Sequence, residues 1–216
     1  MPHFAHLIFD LDGTLVDTQA DLAAATNYML RVLELPALSA RQVKDYIGHG
    51  ARVLVERALG ADYAHLVPRG VALFMAYYET HLLDQTRAYA GIARFLATAQ
   101  NHGLRLSVLT NKPEGPSRAI LLGVQLASFF TAVVGGDTLP VKKPQPQGVF
   151  YLQHLTGVEL TETLLIGDSS IDIETGCAAG IATCGVTWGY GAKSLLSASP
   201  HFLVDTPDQL HPFILA

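Results

Sequence analysis

Short apolar runs alternate through most of this chain with segments whose apolar residues recur every third or fourth position. Leu7-Ile8-Phe9, Leu104 to Leu109, Thr131 to Val134, Thr163 to Ile166, Ala182 to Thr187 and Phe202 to Val204 read as strands. Helical spacing covers Thr18 to Leu35, where Leu22, Ala25, Met29, Leu30 and Leu33 recur and Thr18 is placed to cap. It returns over Ile92 to His102, Glu114 to Leu122, Pro146 to Leu155 and Asp172 to Ala179. Strands alternating with helices predict an α/β fold, a doubly wound, Rossmann-like parallel sheet covered on both faces.

One block breaks the alternation. Pro36 closes the first helix, and Ser39 opens a short one through Val43. The loop Gly48-His49-Gly50 leads to a helical run carrying Val53, Leu54, Ala58 and Leu59. Asp62 to Leu83 reads as a further helix or helix pair, interrupted at Pro68-Arg69-Gly70. The pattern therefore predicts an α/β core of residues 1–16 and 85–216, with an all-helical unit, 17–84, inserted into it.

Composition narrows the class. The chain has 216 residues, 50% of them hydrophobic, enough to bury a proper core. Its net charge is −5 and its 14 Lys and Arg are scattered, which argues against nucleic acid as a partner. An anionic ligand would need local cations to draw it in. Cys177 and Cys184 have no metal-ligand spacing and read as core thiols of a reducing, cytoplasmic compartment. The first strand begins within a few residues of Met1, which leaves no room for a signal peptide. Ala119 to Gly136 is uncharged but holds Gln125, Ser128 and Thr131, so it reads as helix end, loop and strand rather than a membrane span.

The candidate chemistry lies where the strands stop. Asp10 and Asp12 follow the first strand two residues apart, so an extended backbone turns both carboxylates to one side. Gly13 permits a tight bend, and Thr14 adds a hydroxyl. Later strands end at Thr110-Asn111, at Gly135-Gly136 and at Asp168. In an open parallel sheet such residues converge on one crevice. Thr110 offers a hydroxyl and Asn111 a backbone N–H to a phosphate oxygen. Lys143, stiffened by Pro144 and Pro146, is placed to neutralise phosphate, with Lys142 second to it. Asp172 starts the helix after Asp168, where a carboxylate also suits the helix dipole. Four acids without His or Cys indicate a hard cation, and Mg²⁺ is the usual one beside phosphate.

Asp10-x-Asp12-Gly13-Thr14, Thr110, Lys143 and Gly167-Asp168-x-x-x-Asp172 together resemble, in order, the signatures of the haloacid dehalogenase-like hydrolases. Tyr46 to Leu59, Leu109 to Pro113, Val134 to Asp137 and Trp188 to Gly191 are similar to segments of phosphoglycolate phosphatases. Ala90 departs from that pattern, standing where a proline usually precedes the glycine. The resemblance implies that Asp10 is the nucleophile, Asp12 the general acid and base, and Thr110 and Lys143 the phosphoryl ligands. It implies Mg²⁺ on Asp10, Asp168 and the Asp12 carbonyl, with Asp172 supporting it, and a cap at 17–84. Arg52 or His49 in that cap is the expected contact to the leaving group. The implied substrate is a small phosphorylated metabolite, 2-phosphoglycolate first, acted on by a monomer or homodimer. A sugar phosphate or pyrophosphate substrate, or a catalytically silent binding protein on the same fold, are the alternatives.

Overall fold

A computed structural model describes residues 4–214; the outer ends of the expected core, 1–3 and 215–216, lie outside the described residues. Along the chain come β1 (His6–Phe9), β2 (Val16–Asp17), α1 (Gln19–Val32), α2 (Ala40–Lys44), α3 (Ala51–Leu59), α4 (Val67–Tyr78) and β3 (Arg87–Ala88). They are followed by α5 (Ile92–Asn101), β4 (Arg105–Leu109), α6 (Glu114–Gly123), β5 (Ala132–Val134), α7 (Gln147–Thr156), β6 (Thr163–Gly167) and α8 (Ser170–Ala179). The chain finishes with β7 (Ala182–Val186), α9 (Ala192–Ala198), β8 (Phe202–Val204) and a 3₁₀ segment, Pro207–Phe213.

β1 is buried throughout because its successive side chains serve two layers. Leu7 and Phe9 enter the larger apolar cluster with Phe95 of α5 and Ile120 of α6. Ile8 enters the smaller one with Val149 and Leu152 of α7 and Ala179 of α8. The sheet order is β5-β4-β1-β6-β7-β8, parallel throughout. From β1 the chain fills one side with β4 and β5, then crosses back to build β6, β7 and β8 on the other. The order reverses at β1, and a doubly wound sheet opens its crevice at such a reversal. Phe9 pairs with Val108 and Ile166, so Asp10, Thr110 and Asp168 leave the sheet at one edge.

Between β2 and β3, which pair antiparallel, the described residues contain helices and no strand. The expected break at Pro68-Arg69-Gly70 does not occur. Pro68 occupies the first turn of α4, where a missing N–H costs nothing, and α4 runs on to Tyr78. Gly70 serves packing instead: a Cβ there would lie 2.9 Å from Val55 and 3.1 Å from the Met29 sulfur, so α4 approaches α1 and α3 closely. Ser39 caps α2 through a capping box with Gln42. Thr18 gives α1 no side-chain cap, because its hydroxyl is used elsewhere.

One further expectation is corrected. Cys184 is buried in β7, where burial pushes its thiol up to about 12, but Cys177 lies on the exposed face of α8. The sequence pattern does not show the short strands β2 and β3 or the helix α9, since two residues carry no periodicity and α9 follows a glycine-rich loop. Ala119 to Gly136 resolves into the end of α6, a 3₁₀ turn and β5. Among the described residues no helix is long and apolar enough to cross a membrane.

Candidate active site

Asp10 is the first residue beyond β1 and is buried. Its Oδ1 accepts from the Leu11 N–H at 2.7 Å and lies 2.9 Å from Lys143 Nζ, leaving Oδ2 without a hydrogen-bond partner among the described residues. Lys143 is buried and also reaches Asp172 Oδ1 at 2.6 Å. Burial by itself would lower the Lys143 pKa, but Asp10 and Asp172 outweigh it and hold the ammonium charged. Lys142 points away and donates to the His49 carbonyl at 2.7 Å.

Asp168 follows β6. Its Oδ2 accepts from the Tyr190 and Gly191 N–H groups at 2.6 and 3.1 Å, and its Oδ1 has one long contact, 3.4 Å, from the Thr14 hydroxyl. These backbone donors come from the loop after β7. Gly13 has φ +83°, and a Cβ there would run into the Asp168 carboxylate, so glycine is required on both counts. Asp172 is in the first turn of α8, and its Oδ2 completes a capping box with Ser169.

Asp10, Asp168 and Asp172 each bring a carboxylate oxygen within 4.8 Å of the others. Burial pushes Asp10 up to about 6 and Asp168 up to about 7, the Asp172 charge adding to both, while Lys143 pulls Asp10 the other way. Closely held, desolvated oxygen donors suit a hard divalent cation. Both Asp172 oxygens are already engaged, so the free oxygens for direct ligation are Asp10 Oδ2 and Asp168 Oδ1. The Asp12 carboxylate is outside this cluster.

Asp12 turns instead to a second lysine. Lys112 Nζ is 2.9 Å from Asp12 Oδ2, and Thr18 donates to Asp12 Oδ1 at 2.7 Å. Lys112 is buried and also donates to the Tyr78 hydroxyl at 3.0 Å, linking the end of β4 to α4. Sequence reasoning passed over Lys112, although a signal was present. Lys112-Pro113 has the same lysine–proline stiffening that singled out Lys143-Pro144.

A cavity of about 40 Å³ lies between the strand ends and the helical unit. Asp10, Asp12, Thr110, Asn111 and Lys112 form its floor, with Leu54, Phe74 and Tyr78 among the residues opposite. Thr110 Oγ1 accepts from the Lys112 N–H at 3.2 Å. The Asn111 side chain has a task separate from the backbone N–H expected to serve phosphate. Its side-chain amide ties the two halves together, donating to the Gly48 and Lys143 carbonyls at 3.0 and 3.1 Å, and its Oδ1 is buried without a partner. Arg52 and His49 are not brought to this cavity. Arg52 is 66% exposed and pairs with Glu56 one turn along α3. His49 borders a separate groove with Arg41, Lys44 and Tyr190, and burial with neighbouring Arg57 lowers its pKa.

The haloacid dehalogenase-like hydrolase family matches the chain over residues 7–186. The chain belongs to that family. This hydrolase is 37% identical over 214 residues to a phosphoglycolate phosphatase of Pseudomonas syringae pv. tomato, covering 95% of this chain and 78% of that one. It is 39% identical over 200 residues to a phosphoglycolate phosphatase of Neisseria meningitidis serogroup A, covering 90% and 85%. Among solved structures, a predicted phosphoglycolate phosphatase from Haemophilus somnus 129PT superposes with a TM-score of 0.91 at 32% identity, over 97% of each chain.

Proposed function

We propose that this hydrolase is a Mg²⁺-dependent phosphoric monoester hydrolase that cleaves 2-phosphoglycolate through an aspartyl-phosphate. The observation that carries the reading is the double membership of Asp10, which belongs both to the carboxylate cluster and to the floor of the cavity. A carboxylate so placed faces the phosphorus of a bound ester while its charge is balanced from behind. The relatives described above carry the phosphoglycolate phosphatase name.

In this reading one Asp10 carboxylate oxygen attacks phosphorus, the other being left for the cation; the Asp10–phosphorus bond forms as the ester bond breaks. Asp12 gives its proton to the departing alkoxide, and then takes one from the water that cleaves the aspartyl-phosphate, a role typically worth roughly 100- to 10,000-fold. Thr110 and Lys143 hold the transferring phosphoryl group, whose catalysis rests on positioning and charge. Asp10 and Asp168 would hold Mg²⁺ with the Asp12 carbonyl, Asp172 acting through Lys143 and the metal's water; when bound, the ion would neutralise charge between nucleophile and dianion. Residues 17–84 act as the cap, excluding water above the cavity.

Phosphate release from a panel of small phosphomonoesters, with Mg²⁺ and with chelator, tests this. Fast, chelator-sensitive release confined to phosphoglycolate is the expected result. Broad, modest release would move the substrate elsewhere among phosphomonoesters, and none at all would favour a silent binding protein.

A further inference from the structure

We infer that Lys112 reads the leaving group, selecting phosphomonoesters whose departing alcohol carries a carboxylate next to the ester oxygen. The inference rests on the phosphatase reading above and assigns the specificity of that site.

Lys112 is the only Lys, Arg or His among the described residues lining the cavity. Its ammonium has three N–H donors and no acceptor capacity. Asp12 Oδ2 at 2.9 Å and the Tyr78 hydroxyl at 3.0 Å account for two. The third has no protein acceptor among the described residues. The side chain is only 5% exposed, so water does little to satisfy it. A buried, charged donor left unmet is costly, and an anionic ligand group relieves that cost.

Its position separates its task from that of Lys143. Lys143 sits between Asp10 and Asp172, beside the nucleophile and thus on the phosphoryl side. Lys112 touches Asp12, the group that hands a proton to the leaving oxygen, and so stands on the leaving-group side. An anion one carbon from that oxygen falls within its reach. Tyr78 fixes the ammonium further, its ring centroid lying 4.8 Å from Nζ. Neither of the cap cations the sequence suggested, Arg52 or His49, lines this cavity.

The test compares phosphoglycolate with its neutral amide, carbamoylmethyl phosphate, in wild-type protein and in Lys112→Met and Lys112→Gln. The wild type should prefer the acid in kcat/KM, and each variant should lose that preference by roughly 10- to 100-fold, the usual weight of a charged hydrogen bond. Glycolate, the product, should raise the melting temperature of the wild type and not that of the variants, a readout that needs no turnover. Equal losses on acid and amide would mean that Lys112 acts only through Asp12, and the inference would fall. It would also fall if the wild type cleaved both esters equally, with the phosphatase reading intact. A wild type that released no phosphate but bound glycolate through Lys112 would overturn the phosphatase reading and leave the carboxylate site standing. Melting curves confirm that each variant is folded, and either folded variant suffices.

Discussion

Lys143 Nζ lies 2.6 Å from Asp172 Oδ1, joining the Pro144 loop to the first turn of α8. The other Asp172 oxygen is taken by Ser169, so this carboxylate is an anchor whose freedom has been used up. Lys143 in turn presents its charge to Asp10 at 2.9 Å. Replacing Lys143 by Met leaves two buried carboxylates facing each other without their cation. Losing one partner of a buried pair costs about 3–5 kcal/mol, and losing a donor to the transition state costs roughly 100- to 1,000-fold in rate. Urea unfolding and phosphate release should both record the damage. A variant of unchanged midpoint would show that the pair contributes little to the fold.

Asp10→Asn should abolish turnover while the protein stays folded. The amide keeps an oxygen for Lys143 and the Leu11 N–H but is no nucleophile toward phosphorus, and it removes one charge from the crowded cluster. Phosphate release and a thermal melt of the same sample decide it. Near-normal activity would refute the covalent scheme.

The acid cluster predicts a pH dependence with a definite sign. In the folded, ion-free protein burial raises Asp10 to about 6 and Asp168 to about 7, above the unfolded carboxylate value of 3.8. The folded state therefore holds protons that the unfolded chain has released. This contribution to stability is full below the unfolded value and is lost as pH rises through the two folded values. A divalent cation competes with those protons and relieves the repulsion that remains above them. Added Mg²⁺ should therefore raise the melting temperature little at about pH 5 and clearly at about pH 8. The same rise at both values would place the cation elsewhere.

Asp21 of α1 predicts a purely structural effect. Buried, it accepts from the Gln85 N–H at 3.0 and 3.1 Å, the Thr86 N–H at 2.8 Å and the Thr86 hydroxyl at 2.8 Å. It thus pins the first helix of the insert to the segment that returns to the core. Asp21→Ala strands several buried donors and should cost about 1–3 kcal/mol or more in a urea titration. Asp21→Asn, which keeps one acceptor, should fall between the two. A neutral Ala variant would show that water replaces the carboxylate.

The sheet and the ends of its strands were legible because a strand covered on both faces must be continuously apolar. A change to Asp or Thr then marks where the cover stops, as at Asp10, Thr110 and Asp168. The local chemistry of Ser39 with Gln42 was half legible too, since serine before a helical run signals a helix start. Pro68 misled because proline marks a break in the middle of a helix and a beginning in its first turn, and only the observed phase of α4 tells the two apart.

By itself the sequence determined the α/β alternation, the run of helices between β2 and β3 and the acids and lysine that lie near the crevice, because burial and backbone period leave their mark on residue type. Tertiary structure decided the partners. Two lysines stand before prolines; the sequence pointed Lys143 toward the nucleophile, and packing alone assigned Lys112 to Asp12. The rotation of α3 carried Arg52 outward to Glu56, and the fold of the last loop aimed the Tyr190 and Gly191 N–H groups at Asp168. Backbone donors belong to nearly every residue and so leave no trace in a sequence; where they point is fixed only when distant segments close on one another.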